Sequence, residues 1–153
     1  MEKLLNKLKA SYSQFRFKIA DKAYWSPKNR TIYFVNSEGS EAQWALLHEL
    51  AHGILEHKTY STDIDLLHKE VDAWEHAKDL AQRFAIKIND EHIEQCLDTY
   101  RDWLHKRSEC PACKQHGVEV HRGSYSCMNC QNVWKVSSER FCRPYRLKIA
   151  VAQ

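Results

Sequence analysis

The amino-acid sequence predicts an α+β protein: a small domain with a short antiparallel or mixed sheet and a set of helices, followed by a β-rich module built on paired cysteines. Three observations carry this. Residues 15–35 hold short apolar and aromatic runs with strand periodicity, broken by turn signals. Residues 41–105 hold three successive segments with helical periodicity. Cys110-Pro-Ala-Cys113 and Cys127-Met-Asn-Cys130 then bracket a short alternating stretch.

Residues 2–10 are amphipathic and predict a short helix. Phe15, Phe17 and Ile19 alternate with polar residues, and Ala23-Tyr24-Trp25 suits a second short strand. Ser26-Pro27-Lys28-Asn29 reads as a turn. Thr31-Ile32-Tyr33-Phe34-Val35, β-branched and aromatic, predicts a further strand. Ser40 with Gln43 predicts a capping box opening a helix over about 41–57. Residues 58–65 are polar and read as a loop, with a long helix following over about 66–87. Asn89-Asp90 is a break and N-cap signal before a helix over about 91–105, which bears Ile93, Leu97, Tyr100 and Leu104 at helical spacing.

The 153 residues suffice for one compact domain, residues 1–105, and a small module, residues 106–153. A hydrophobic fraction of 43% and a charged fraction of 28% are ordinary for a soluble protein. No run approaches the roughly 20 apolar residues that span a bilayer, and the charged N-terminus lacks the apolar centre of a secretion signal. The expectation is a cytoplasmic protein that does not engage a membrane. Charge is uneven: residues 1–105 carry 14 Lys/Arg against 17 Asp/Glu, and residues 106–153 carry 9 against 3. The basic module, with Arg140, Arg143, Tyr145, Arg146 and Lys148 in its tail, admits a nucleic acid or an acidic protein as partner, beside the plainer reading of a solvated tail.

His48-Glu49-Leu50-Ala51-His52 is the motif with the most chemistry. Histidines four apart share one face of a helix and can grip one metal ion, and the glutamate between them can take a proton from a water that the metal activates. Such a site needs one further protein ligand. Glu56, Asp63, Asp65, His68, Glu70, Asp72 and Glu75 are within reach in sequence. In the 66–87 helix Glu70 falls in the middle of the apolar stripe of Ala73, Trp74, Ala77, Leu80, Ala81 and Phe84, whereas Asp72 and Glu75 fall toward solvent. A carboxylate on a core-facing stripe is costly unless paired or bound to metal, so Glu70 is the expected third ligand. His68 is the alternative, and the plain reading of Glu70 is a first-turn residue favoured by the helix dipole. His57, Glu56, His76, His92 and His105 read as surface residues.

The four cysteines have zinc-ribbon spacing, two CxxC knuckles 13 residues apart, and predict a closed structural zinc site on Cys110, Cys113, Cys127 and Cys130. Val118-Glu119-Val120-His121, Gly123 and Tyr125 suit a hairpin into the second knuckle, and Val133-Trp134-Lys135-Val136 suits the next strand. A pair of redox disulfides is the competing reading, without the βαβ context it normally has. Cys96 and Cys142 read as plain thiols.

LLHELAHGILEH followed by EVDAWEHAKDLAQRF resembles the ImmA/IrrE-like zinc metallopeptidases of the gluzincin type, over about residues 10–88. The resemblance implies a zincin-like domain with a catalytic zinc on His48, His52 and Glu70, the last from the matching Glu70-Val71-Asp72-Ala73 element, and Glu49 as general base. It implies a protein or peptide substrate. With the ribbon, two zinc ions per chain are expected. Tyr60 and His68 are candidate oxyanion donors, and the strand 31–35 is a candidate for pairing with an extended substrate. Two other function classes fit less well: a DNA-associated protease resembling the SprT-like group, which would use His57 or His68 as ligand, and a non-catalytic module that docks through its ribbon.

Overall fold

The structure, a computed structural model, describes residues 1–137 and the backbone of a strand at Arg146–Lys148. It is mixed α+β: the described residues form helices α1 (Glu2–Ser11), α2 (Ser40–Ile54), α3 (Asp63–Arg83) and α4 (Asp90–Ser108). The strands are β1 (Arg16–Ile19), β2 (Tyr24–Ser26), β3 (Thr31–Phe34), β4 (Gly117–His121), β5 (Ser124–Cys127), β6 (Val133–Val136) and β7 (Arg146–Lys148). The chain divides into two compact units, one of Met1–Thr59 with Lys69–Ile93 and the other of Tyr60–His68 with Glu94–Gln153.

The first unit is organised around β3. Its β-branched and aromatic residues suit a pleated, buried surface, and Thr31, Ile32 and Phe34 are buried. β3 pairs with β1 in parallel, Phe17 beside Ile32, and with β2 in antiparallel fashion, Trp25 beside Ile32. The sheet order β1-β3-β2 thus makes β3 central and leaves β2 at an edge. With both sides of β3 already paired, the expectation that residues 31–35 add a substrate strand is overturned, since a strand has two hydrogen-bonding edges and no more. β1 is the opposite edge, and Ile19 at its end is 65% exposed.

α2 packs on β2 and β3. Gly53 sits at the closest approach, where an added Cβ would lie 3.2 Å from both Ile32 Cδ1 and Phe15 Cε1. The helix opens differently from the expected capping box: Gly39 is the N-cap, in an extended conformation, and no side chain caps it. Ser40 is already helical, so it cannot adopt the extended backbone a capping residue needs.

Both α2 and α3 end in a left-handed residue that is not glycine, which is why the sequence overestimated their length. After α2, Glu56 has φ +54, the Glu56 N–H donates to Gly53 O (3.2 Å) and the His57 N–H donates to His52 O (3.0 Å). After α3, Ala85 has φ +57, with Ala85 N–H on Gln82 O (3.2 Å) and Ile86 N–H on Ala81 O (2.8 Å). Each is a Schellman cap, which returns the chain on itself and satisfies the last carbonyls. The starts of α3 and α4 are capped by side chains: Thr62 Oγ1 accepts the Asp65 N–H at 3.2 Å, and Asn89 Oδ1 accepts the Glu91 N–H at 3.0 Å. The Thr62 cap explains why α3 begins at Asp63 inside a stretch that reads as a loop.

The second unit contains a four-stranded antiparallel sheet in the order β4-β5-β6-β7. Gly123, at φ +72, makes the β4–β5 turn. Gly117 is required by packing, because a Cβ there would meet Ser126 O at 2.5 Å and Trp134 Cη2 at 2.6 Å. Cys110, Tyr125, Cys127 and Trp134 form a small buried cluster with Cys113 and Val136 against it. Beside it is a buried polar network. Asp63 accepts from Arg107 Nε (2.5 Å), Arg107 Nη2 (3.3 Å) and the Tyr125 hydroxyl (2.6 Å). Glu119 accepts the backbone N–H groups of Asp63 (2.5 Å) and Gly123 (2.6 Å), and Arg107 also donates to Ser137 O. Asp63, one of the seven residues in sequence range of the metal, is therefore committed to Arg107 and Tyr125. Burial, reinforced by the hydrogen bond to Asp63, holds the Tyr125 hydroxyl in its protonated, donating form. Arg140, Cys142, Arg143 and Tyr145 lie outside the described residues, and Arg146 and Lys148 are described by their backbone in β7.

Among the described residues no helix is long and apolar enough to cross a membrane.

Candidate metal centres

α2 places His48 and His52 one turn apart, and the core-facing side of α3 brings Glu70 to them. His48 Nε2 and His52 Nε2 are 3.1 Å apart, and Glu70 Oε2 is 3.2 Å from the first and 3.6 Å from the second. A tetrahedral zinc ion with bonds of about 2.0–2.1 Å separates neighbouring ligand atoms by about 3.3 Å. The three atoms therefore converge at the spacing such an ion imposes, and they could hold a metal ion. Glu70 and His48 are each 7% exposed, while Asp72 and Glu75 on the same helix are exposed. Burial works against the ionised form of Glu70, but hydrogen bonds from His48 and His52 outweigh it and hold the carboxyl well below the usual carboxylate range.

The two imidazoles are supported differently. His48 stacks on Trp74 from α3, ring centroids 4.1 Å apart and 26° from parallel, and its Nδ1 is buried without a hydrogen-bond partner among the described residues. His52 turns its Nδ1 to Nδ1 of His57, 2.8 Å away. His57, read from sequence as a surface residue, is half-buried there. Burial, with the neighbouring His52 and Lys69, lowers its pKa and favours the neutral ring. His92 is corrected in the same way: its ring lies 4.9 Å from Trp44 and 5.8 Å from Trp74.

Glu49 lies between the two histidines in sequence, and its Oε2 accepts the backbone N–H of Trp25 on β2 at 2.7 Å. The Trp25 indole N–H in turn donates to the carbonyl of His57 at 2.8 Å. Burial raises the pKa of Glu49, opposed in part by His48 and His52 and by the Trp25 N–H. Trp25 and His57 are neighbours of these residues that the sequence did not place beside them. Trp25 reaches Glu49 through its backbone N–H, which leaves no side-chain signature, and the position of His57 follows from a left-handed turn at a glutamate.

The second centre is the cysteine cluster. Cys110 Sγ lies 3.7 Å from Cys130 Sγ, and Cys113 Sγ lies 3.4 Å from Cys127 Sγ. Bonds of about 2.3 Å to a tetrahedral zinc ion give sulfur separations of about 3.8 Å. The two knuckles repeat one geometry. In the first, Lys114 N–H donates to Cys110 O (3.0 Å), Cys110 N–H donates to Gln115 O (2.8 Å), and Lys114 has φ +66. In the second, Gln131 N–H donates to Cys127 O (2.9 Å), Cys127 N–H donates to Asn132 O (2.9 Å), and Gln131 has φ +57. Backbone N–H groups aimed at sulfur stabilise thiolate: the Gln115 N–H and the Asn129 side chain bring the Cys113 thiol down to about 6. The sulfurs are paired by approach rather than bonded, and the cysteines are free thiols. The set could hold a metal ion and is compatible with a zinc ribbon.

The proposed oxyanion donors belong to the second unit. Tyr60 carries the Arg122 guanidinium over its ring, 4.4 Å from the centroid, and His68 is exposed on α3. Cys96 is half-buried and forms no disulfide among the described residues.

No protein-family model, curated protein or solved structure matches this chain.

Proposed function

We propose that this chain is a zinc-dependent metallopeptidase of the gluzincin type, similar to the ImmA/IrrE-like group, with a structural zinc ribbon. His48, His52 and Glu70 would hold the catalytic ion, and Cys110, Cys113, Cys127 and Cys130 the structural one. The observation that carries the reading is the half-buried carboxylate of Glu49, which lies on the turn of helix that supplies both histidines and is held by the backbone N–H of Trp25. When bound, a zinc ion supplies Lewis acidity, which acidifies a water near neutral pH and polarises a scissile carbonyl.

The residues of the chain do the rest. Trp25 N–H fixes one oxygen of Glu49 and leaves the other to take a proton. Burial makes that carboxylate more basic than a solvated one, which suits a group that accepts a proton from water and passes it to a leaving amine. β2 pairs with β3 on one side, and the Trp25 N–H at its other side points to Glu49. An extended peptide laid along that edge of β2 would pass beside the base, which supports a peptide substrate and transfers to β2 the pairing role expected of β3. Glu70 is favoured over a histidine as third ligand because the His57 ring meets His52 at Nδ1, the nitrogen opposite the one facing the triad.

Glu49→Gln tests the reading. The variant should keep two zinc ions per chain and lose peptide hydrolysis by about 10²–10⁴-fold, the usual contribution of a general base. Cleavage of a random peptide mixture, followed by mass spectrometry with and without chelator, is the measurement. Undiminished cleavage by Glu49→Gln excludes the mechanism, and a wild-type chain that binds one zinc ion, on cysteine alone, excludes the enzyme in favour of a docking module.

A further inference from the structure

We propose that His57 is a positioning residue for the helix-borne metal site: its Nδ1 accepts the Nδ1–H of His52 and so locks the tautomer and ring orientation in which His52 offers Nε2 to the ion. The inference rests on the metal-site part of the proposed function and extends it to a residue outside the ligand set.

The geometry requires these roles. His52 Nε2 converges with His48 Nε2 (3.1 Å) and Glu70 Oε2 (3.6 Å), so it is the nitrogen that must be free of hydrogen to bind an ion. The proton of the neutral ring is then on Nδ1. The group 2.8 Å from that Nδ1 is His57 Nδ1, which must be the acceptor and carry its own proton on Nε2. Ligating histidines generally donate their second nitrogen to a carboxylate, carbonyl or water. Here a second imidazole fills that position.

His57 is itself held on three sides. The Schellman cap of α2 makes its N–H donate to the carbonyl of His52, the residue it serves (3.0 Å). Its carbonyl accepts the Trp25 indole N–H (2.8 Å). Its ring lies across that of His52, centroids 5.0 Å apart. Because Trp25 also donates its backbone N–H to Glu49, one residue of β2 fixes both the base and the partner of a ligand. His48, with no partner at Nδ1 among the described residues, depends on stacking instead, so the support of His52 is specific to His57.

The test is zinc affinity by chelator competition, with the cysteine site of the same chain as internal control. His57→Ala should weaken binding of one of the two zinc ions by about 10–100-fold, the usual cost of losing an outer partner, and leave the other unchanged. His57→Asn, whose carbonyl can stand where Nδ1 stood, should recover most of the loss. Affinity within twofold of wild type in His57→Ala, or equal losses in both variants, overturns the proposal. A second readout is nitrogen NMR of the zinc-loaded wild-type protein, where His52 should carry its proton on Nδ1 and His57 on Nε2. A proton on His57 Nδ1 in the zinc-loaded protein overturns the proposal whether or not the chain cleaves peptides, while a chain with the expected tautomer pair that cleaves nothing overturns the proposed function instead.

Discussion

The two candidate metal centres reach similar compactness by opposite routes. The cysteine centre is built from two copies of one local turn, each closed by the same pair of backbone hydrogen bonds and the same left-handed residue after its second cysteine. Its candidate ligands are all protein side chains, and two of the four residues in the small buried cluster around it are cysteines. The histidine centre is built from two long helices and joins residues 22 apart, with three ligand atoms and an acid–base group beside them. The helices are held by a core of their own, with Leu46, Leu47, Leu50, Ala73 and Ala77 fully buried. In the first case the metal would complete a fold; in the second, a fold assembles a site that a metal can use.

Removing the metals should separate the two cases, and this is the largest effect expected. With so few buried side chains, the cysteine module would draw from the proposed zinc ion folding free energy on the order of 10 kcal/mol. Cys127→Ala should therefore abolish the ordered ribbon. The indole N–H of Trp134, which donates to Arg107 O at 3.0 Å, is the reporter, and its dispersed NMR resonance should collapse. His48→Ala should remove the other ion and leave that resonance in place, with the α2–sheet core still cooperative in denaturant. If the ribbon keeps a dispersed Trp134 resonance without its cysteine ligand, the contrast between the two centres fails.

The contrast also accounts for what could be read in the sequence. The cysteine knuckles were legible because ligand spacing and turn geometry are the same local fact, and β6 falls on the residues expected, Val133–Val136. Glu70 was legible through helix phase, since a carboxylate on an apolar stripe stands out. The ends of α2 and α3 were not, because Glu56 and Ala85 take the left-handed conformation in place of glycine, and no composition signal marks them. The paired state of β3 was not legible either. Strand propensity says that a segment suits a sheet, whereas its place in the order β1-β3-β2 is decided by tertiary packing. The pairing of Arg107 with Asp63, 44 residues earlier, was not legible, because no local pattern links residues so far apart in the chain.

That pair tests whether the second unit depends on its metal alone. Asp63 and Arg107 have side chains 1% and 3% exposed, and Arg107 lies over the Trp103 ring at 4.3 Å. Asp63→Ala leaves a buried guanidinium without its carboxylate and the Tyr125 hydroxyl without its acceptor. Breaking a buried pair in this way costs about 3–5 kcal/mol. Denaturant titration of the zinc-loaded protein, followed at Trp134, should show that loss with two zinc ions still bound. A change under 1 kcal/mol would mean that the cysteine centre holds the unit unaided.

The smallest effect concerns the turn that delivers His57. Glu56 has φ +54, where a residue with a Cβ is strained by roughly 1–2 kcal/mol and glycine is not. Its ion pair with Arg30, at 3.8 Å and with both side chains more than half exposed, offsets little of that. Glycine also loses more freedom on folding, so Glu56→Gly should stabilise by about 0.5–1 kcal/mol net, read as a small rise in the melting temperature of the metal-free protein. Zinc affinity at the histidine centre should not change, because the hydrogen bonds that seat His57 come from its own backbone and from Trp25, and the turn keeps its shape. A stabilised variant with weakened zinc binding would show that the glutamate side chain, and not the turn, holds His57 against His52. The histidine centre would then depend on a solvated surface contact, and its contrast with the self-contained cysteine knuckles would be sharper.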